Sequence, residues 1–440
     1  MKRHELHKLD EKIVDRCVHC GFCLPSCPTY RLTGNEAESP RGRIDLLRLW
    51  DRGDLVLDSE FVGHIDSCLG CLSCVSACPS GVQFDELIVQ ARSLISLSYR
   101  RNWSERMTRA AIFAVMPYPR RMRTAMWGAV VADKMRLGAL LEGKSFSKSV
   151  LVKTLVASLE LSSKRSLSPG RRRSARSGLT FYPGLAPRRG RVGLLRGCAG
   201  AVLFESVERA TIEVLQGEGF DVLVPQRQGC CGALAHHSGE ISLAAKLANQ
   251  LLGELSSIKV DAWITTAAGC GSTLKSLPEV LALDGRPAGS AESFSASVVD
   301  VSEFLDSVGL RGRYHGLTAR VSYHPACHLV NAQQISRQPI SLLESICGLT
   351  VVIPPDSNIC CGSAGTFNLL HPGEASALGV AKVAAIMTTA PDVIATANPG
   401  CLLQIAHYCP GGVAVVHPVE LLALSMRGGG IEDLREPVSS

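Results

Sequence analysis

Eight of the chain's 18 cysteines fall into two copies of one run. The first is Cys17-x-x-Cys20-x-x-Cys23-x-x-x-Cys27-Pro28, and the second is Cys68-x-x-Cys71-x-x-Cys74-x-x-x-Cys78-Pro79. A C-x-x-C-x-x-C loop lets three thiolates converge on three corners of one cube, while a residue far away in sequence supplies the fourth corner. This is the spacing of bacterial two-cluster ferredoxins, in which the fourth cysteine ligates the other cluster. The expected ligand sets are therefore Cys17, Cys20, Cys23 and Cys78 for one [4Fe-4S] cluster, and Cys68, Cys71, Cys74 and Cys27 for the second. Paired C-x-x-C motifs also make tetrahedral zinc sites, but two complete four-cysteine runs, each followed by proline, favour the two clusters.

Thiolate-ligated iron needs reduced cysteines, which points to the cytoplasm. Met1-Lys2-Arg3-His4-Glu5 opens a charged amphipathic stretch without the apolar region of a signal peptide. No run of about 18 uncharged apolar residues is present to span a membrane. With 46% hydrophobic and 20% charged residues the composition is that of a folded globular protein. A length of 440 residues calls for about three domains.

The whole-chain charge of +6 conceals an uneven distribution. Residues 100–191 carry 21 Lys/Arg against 4 Asp/Glu, a net of +17, which leaves −11 for the remainder. Trp103, Phe113, Met116, Tyr118, Met122, Met126 and Trp127 lie among these arginines. Such a mixture suits a helix lying on an anionic surface, and equally a solvated connector that meets acidic partner subunits. Nucleic acid is disfavoured, since no binding motif accompanies Arg171-Arg172-Arg173. Residues 161–191, rich in Arg, Ser, Gly and Pro, read as a linker.

Beyond that linker the chain repeats itself. Cys198, Cys230-Cys231-Gly232 and Cys270 recur as Cys327, Cys360-Cys361-Gly362 and Cys401, each displaced by 129 to 131 positions. A constant offset indicates duplicated domains. β-Branched runs alternate with Ala/Leu/Glu-rich segments at 201–217, 240–255 and 375–389, the βα alternation of a helix-covered parallel sheet. In such a sheet the loops at the strands' carboxyl ends converge on one crevice, so four thiols should meet in each repeat as a further metal or redox site. Adjacent cysteines can offer both sulfurs to one centre only if the backbone turns sharply, and glycine permits that turn. Buried small cysteines without a ligand are the plainer alternative. Cys347 and Cys409 have no counterparts in the repeat and read as packing residues.

The expected architecture is thus α+β and multidomain: a helical two-cluster ferredoxin domain (1–99), a basic helical connector and linker (100–191), and two α/β Cys-Cys-Gly domains with parallel sheets (192–318 and 319–440). Cys17-Val18-His19-Cys20-Gly21-Phe22-Cys23, Cys27-Pro28-Thr29-Tyr30, Ser39-Pro40-Arg41-Gly42-Arg43-Ile44, Cys78-Pro79-Ser80-Gly81-Val82 and the two Cys-Cys-Gly repeats resemble, in order, the iron–sulfur subunit of bacterial glycolate oxidase over about residues 13–425. Gly365-Thr366-Phe367 and Asn398-Pro399-Gly400-Cys401 favour that branch over related lactate-utilisation, anaerobic glycerol-3-phosphate dehydrogenase and heterodisulfide reductase subunits. The resemblance implies a helical ferredoxin domain. It also implies partnership with two flavoprotein subunits that carry FAD and oxidise glycolate to glyoxylate, and onward transfer to a respiratory, quinone-type acceptor at the cytoplasmic face of the inner membrane.

The chain departs from the heterodisulfide reductase pattern, whose repeats end in C-x-x-C, because Thr273 and Gln404 stand where a fifth cysteine would be. His236, His237, His324 and His328 lie near the repeat cysteines and could substitute as ligands; an ordinary hydrogen-bonded histidine is the simpler expectation for each. No G-x-G-x-x-G follows a strand, so no flavin or dinucleotide site is expected and the chain alone should not oxidise glycolate. A thiol or disulfide reductase subunit and a non-catalytic membrane anchor are the competing roles.

Overall fold

The computed structural model describes residues 9–134, 173–174 and 178–434. About half of the expected linker, including Arg171-Arg172, and the connector beyond residue 134 lie outside the described residues.

The regular elements of residues 9–98 are all helices, joined by loops, with no strand. Helix Pro40–Asp51 starts where Ser39 Oγ accepts from Gly42 N at 3.0 Å and Pro40 occupies the first turn, where its missing N–H costs nothing. Helix Ser59–Asp66 is capped by Asp58, which accepts from Phe61 N at 2.9 Å. Helix Phe84–Ser98 buries Leu87, Ala91, Leu94 and Ile95, spaced three or four apart, against Leu47, Phe61 and Ile65.

The Ser39–Arg43 segment supplies the hub of this part. Arg43 is 1% exposed and donates to His64 O (2.7 Å), Glu38 O (2.6 Å), Glu38 Oε2 (2.7 Å), Ser67 Oγ (2.8 Å) and Thr29 Oγ1 (3.2 Å). It therefore ties the helix after Cys27 to the chain entering the second cysteine run. Gly42 is required by contact, since a Cβ there would lie 2.0 Å from Glu36 O.

Helices Trp103–Val115 and Pro119–Lys134 follow. Arg101 and Arg109 anchor the first of them to Asp66, at 2.5 and 3.0 Å. Burial pushes the Asp66 carboxyl up, but the Arg101 hydrogen bond and the charges of both arginines outweigh it and hold the group below its ordinary range. Met122 and Met126 are 0% and 2% exposed, packed with Met116 against Leu203, Phe204 and Leu403. Arg123 donates to Ala201 O at 2.9 Å, and Arg121 lies over the Tyr118 ring at 4.4 Å. Trp103 and Trp127 remain largely exposed.

Two sheets follow. The first contains β1 (Arg173–Ser174), β2 (Leu179–Tyr182), β3 (Gly190–Leu195), β4 (Phe220–Pro225), β5 (Ala262–Thr265) and β6 (Val298–Asp300), in the order β1-β2-β4-β3-β5-β6. The second contains β7 (Ala319–Tyr323), β8 (Leu349–Val352), β9 (Val393–Ala395) and β10 (Ala414–Val416), in the order β10-β9-β7-β8. β3 to β6 have the same parallel arrangement as β7 to β10. The register repeats too, with Val192 opposite Val222 and Ala262, and Val321 opposite Val351 and Val393.

The linker expectation needs one correction. Leu179–Tyr182 is not a free connection: it pairs antiparallel with β4 and extends the first sheet, which therefore begins before residue 192. Both repeats share one core, in which Val207 and Leu215 of the helix after β3 meet Leu421 and Leu424 of the last long helix. Glu218, with its side chain fully buried, clasps the connection between the repeats by accepting from Arg189 (2.9 Å), Arg311 N (2.7 Å), Gly312 N (2.9 Å) and Tyr314 OH (2.8 Å).

Arg43→Met should lower unfolding stability by about 3 kcal/mol, because it strips the His64 and Glu38 carbonyls and the Glu38 carboxylate of their guanidinium donor. Arg43→Lys should recover little, since an ammonium cannot reach this planar set of acceptors. Denaturant titration checks both; a Lys variant as stable as the parent would contradict the assignment.

Candidate metal centres

Both cysteine runs fold into the same loop. The third and fifth positions of each have positive φ: His19 (56°) and Gly21 (85°) in the first, Gly70 (61°) and Leu72 (62°) in the second. A non-glycine residue held there costs about 1–2 kcal/mol, the kind of strain that collects at binding sites. Arg41 donates to His19 O at 3.1 Å and steadies the first loop.

Two clefts result. Cys17, Cys20, Cys23 and Cys78 line one of about 430 Å³, with Val18, Ile44 and Phe84 among its apolar walls. Cys27, Cys68, Cys71 and Cys74 line another of about 330 Å³. Cys74 borders both, so the sets adjoin. Burial and then the charges of Cys71, Cys68, Cys27 and Cys23 push the Cys74 thiol well up. Thiolates this crowded need a cationic centre, and an all-sulfur donor set suits iron–sulfur ligation.

The repeats place their cysteines at the carboxyl ends of the strands. Cys198 follows β3, Cys230 and Cys231 follow β4, and Cys270 lies on the helix after β5. They form one row: Cys198 Sγ lies 3.6 Å from Cys230 Sγ, which hydrogen-bonds to Cys231, which in turn bonds to Cys270. In the second repeat Cys327 meets Cys360, Cys360 meets Cys361, and Cys361 Sγ lies 3.4 Å from Cys401 Sγ. Gly232 (φ 86°) and Gly362 (φ 87°) make the turn, and a Cβ at either would lie 2.7 or 2.8 Å from the carbonyl oxygen of Ala244 or Ala375. Hydrogen bonds from Cys230 and Cys270 hold the Cys231 thiol well below the ordinary range. Thr273 donates to Gly269 O at 3.2 Å and Gln404 to Ala375 O at 2.9 Å, so these positions serve helix packing.

The histidines differ from the simple expectation. His236 Nδ1, His237 Nε2, His324 Nδ1 and His328 Nε2 are buried without a hydrogen-bond partner. His324, 2% exposed, has a ring nitrogen within 4.8 Å of Cys361 and Cys401 Sγ. His328 Nδ1 lies 3.6 Å from Cys327 Sγ. Cys347 is exposed, which removes it from the packing role expected of it, while Cys409 is half-buried.

The second thiol cleft abuts the second repeat. Cys71 shares an apolar cluster with Leu69, Phe367 and Cys360, bordered by Cys327. Burial, followed by the charge of Cys327, pushes the Cys71 thiol up to about 12. Asn331 clamps this contact by donating to Cys71 O at 2.9 Å, and Ser73 Oγ donates to Asn358 O at 2.9 Å. Lys382, 3% exposed, donates to Asp356 O at 2.7 Å; burial lowers its pKa against the opposing charges of Cys361, Cys360 and Cys401. Lys382 escaped the sequence reading, although a lysine in the apolar run Gly379–Met387 is its visible signal. Arg92 carried no such signal, because its partners are distant backbone carbonyls.

Paired thiol clefts joined to two duplicated cysteine rows define an iron–sulfur protein with a dicluster domain and two cysteine-rich domains. The family model described as a 4Fe-4S dicluster domain matches residues 13–82, and that described as a cysteine-rich domain matches 192–275 and 321–406. The chain is 33% identical over 424 residues to the probable glycolate oxidase iron-sulfur subunit of Bacillus subtilis (strain 168), with 94% of each chain covered. It is 31% identical over 421 residues to the glycolate oxidase iron-sulfur subunit of Escherichia coli (strain K12), again with 94% of each covered. The chain belongs to the family of glycolate oxidase iron–sulfur subunits, which are electron-transfer proteins.

Gly362→Ala should cost about 3 kcal/mol, from left-handed strain and the forced contact with Ala375. A thermal melt unchanged from the parent would show that the Cys-Cys-Gly turn is not under this constraint.

Proposed function

We propose that the chain carries electrons from flavoprotein partner subunits, which oxidise glycolate to glyoxylate, to a quinone-type respiratory acceptor. Cys17, Cys20, Cys23 and Cys78 hold one [4Fe-4S] cluster, and Cys27, Cys68, Cys71 and Cys74 hold the other. Bound there, the clusters would supply one-electron carriage between a two-electron flavin and the acceptor. The chain's own part is to fix the thiolates, exclude water from Cys71 and Cys74, and hold the two sets side by side. FAD resides on the partners, and the chain alone does not turn over glycolate.

One observation carries this reading: Cys71 of the second set packs against Cys360 and borders Cys327. Thiol-bearing sites then run without interruption from the exposed Cys20 to the buried row of the second repeat. Among the described residues no helix is long and apolar enough to cross a membrane. We place the protein at the cytoplasmic membrane face as a peripheral subunit, with exposed Trp103, Trp127 and Arg120 available for contact.

Cys78→Ala should remove the electron paramagnetic resonance signal of the set containing Cys17, Cys20 and Cys23 and spare the other. Selective loss of the other signal would reverse the crossed pairing. In the assembled complex, Cys71→Ser should leave flavin bleaching by glycolate intact while dye reduction falls by at least about tenfold, because one thiolate of the carrier is gone. Normal transfer in this variant, together with arrest in Cys361→Ser, would move the route to the repeats.

A further inference from the structure

His324, Cys361 and Cys401 come from three neighbouring strand ends of the second sheet. His324 directly follows β7, Cys361 lies in the loop after β8, and Cys401 sits in the first turn of helix Pro399–Tyr408, after β9. His324 N donates to Ala395 O at 2.8 Å, which sets this residue beside the end of β9. A ring nitrogen of His324 and the two sulfurs all lie within 4.8 Å of one another, and all three residues are buried. Among the described residues they form the one group of three or more His, Cys, Asp or Glu donors drawn this close.

This convergence separates two kinds of metal site. In a [4Fe-4S] cube each thiolate binds its own iron, so the sulfurs stand apart. The two N-terminal sets obey that rule, since no three of their cysteines form so tight a group. Donors to a single ion must instead converge. With Zn–S bonds of about 2.3 Å, two sulfurs on a tetrahedral zinc stand roughly 3.8 Å apart, and Cys361 Sγ and Cys401 Sγ lie 3.4 Å apart.

The surroundings suit thiolates. Asn398 Nδ2 donates to Cys401 Sγ at 3.6 Å, and the Ser363 N–H donates to Cys361. Outer partners of this kind orient metal ligands. Cys360 hydrogen-bonds to Cys361 and stands next in the row to fill a fourth position. The thiols whose charges act on the buried Lys382 are these same three, Cys361, Cys360 and Cys401. Three thiolates, one divalent ion and one ammonium sum to zero, the balance that a buried site requires. His324 Nδ1, for its part, has no hydrogen-bond partner.

The first repeat serves as an internal comparison. Its cysteines make the same kind of row, with Cys198 Sγ 3.6 Å from Cys230 Sγ. Leu195 stands in place of His324, however, and no three donors of that repeat converge.

We propose that the second repeat, and not the first, holds one zinc ion through His324, Cys361 and Cys401, with Cys360 as the fourth ligand. An imidazole joined to thiolates is a zinc donor set, and four protein ligands make a closed, structural site. The ion fastens the ends of β7, β8 and β9 to one another beside the Cys71 contact. Zinc changes no oxidation state, so the site is separate from the electron-carrier function above.

The test is metal analysis of the anaerobically purified full chain, with Co2+ supplied in place of zinc as a spectroscopic probe. The parent should hold about one zinc beside the iron of the N-terminal sets, and its Co2+ form should show thiolate-to-cobalt charge transfer and the visible bands of a tetrahedral ion. His324→Leu copies the residue with which the first repeat folds. It and Cys401→Ser should each lower zinc affinity by at least about tenfold, since even outer partners of a ligand are worth that much. Cys231→Ser, in the first repeat, should keep the zinc. Iron content and circular dichroism of each sample report whether the chain has folded. A parent that binds neither zinc nor Co2+, zinc retained in His324→Leu, or zinc lost equally from Cys231→Ser would overturn the proposal. Iron and sulfide well above about eight per chain, lost with Cys401→Ser, would overturn it too, as the mark of a third cluster.

Discussion

Arg92 is the constraint on which the arrangement of the three folded parts depends. It is 9% exposed, and its guanidinium joins Ile65, Asp66 and Cys68 of the N-terminal part to His237 of the first repeat. Burial lowers its pKa, while the charges of Cys68 and Asp66 act the other way. A buried cation persists when its donors are satisfied, and here the acceptors are mainly backbone carbonyls that only the assembled fold brings together. Fixing Cys68 fixes the loop to Leu72, and so the contact of Cys71 with the second repeat.

The repeats share a topology but have diverged chemically. Counting from Cys198 and Cys327, His324 stands where the first repeat has Leu195; counting from Ala244 and Ala375, Lys382 stands where it has Leu251. The second repeat therefore has a nitrogen donor and a buried cation beside its thiols, and it is the one that touches Cys71. In the first repeat the thiolate is favoured at Cys231 by its own cysteine neighbours instead. Duplication kept the strand-end crevice twice while substitution at two apolar positions made the crevices different.

Metal chemistry made much of this legible in the sequence. Thiolate ligation demands particular residues at fixed spacing, so the two cysteine runs and the 129-to-131-residue repeat could be read directly. The Cys-Cys-Gly turn was legible for the same reason, since only glycine tolerates its backbone. Amphipathicity, in contrast, does not say which surface covers an apolar face: Met122 and Met126 are covered by Leu203 and Leu403, not by lipid. Leu179–Tyr182 was hidden because a four-residue strand between Arg/Ser-rich and Pro/Gly-rich stretches carries too little periodicity to register. Arg92 was silent because long-range carbonyl acceptors leave no pattern in sequence.

The central claim is that two crossed four-cysteine sets bind iron–sulfur clusters. Native mass spectrometry of the anaerobically purified full chain, with iron, sulfide and zinc assays on the same sample, tests it most directly. The account predicts at least about eight iron and eight sulfide per chain, the content of two [4Fe-4S] clusters. Four or fewer iron with stoichiometric zinc would contradict it.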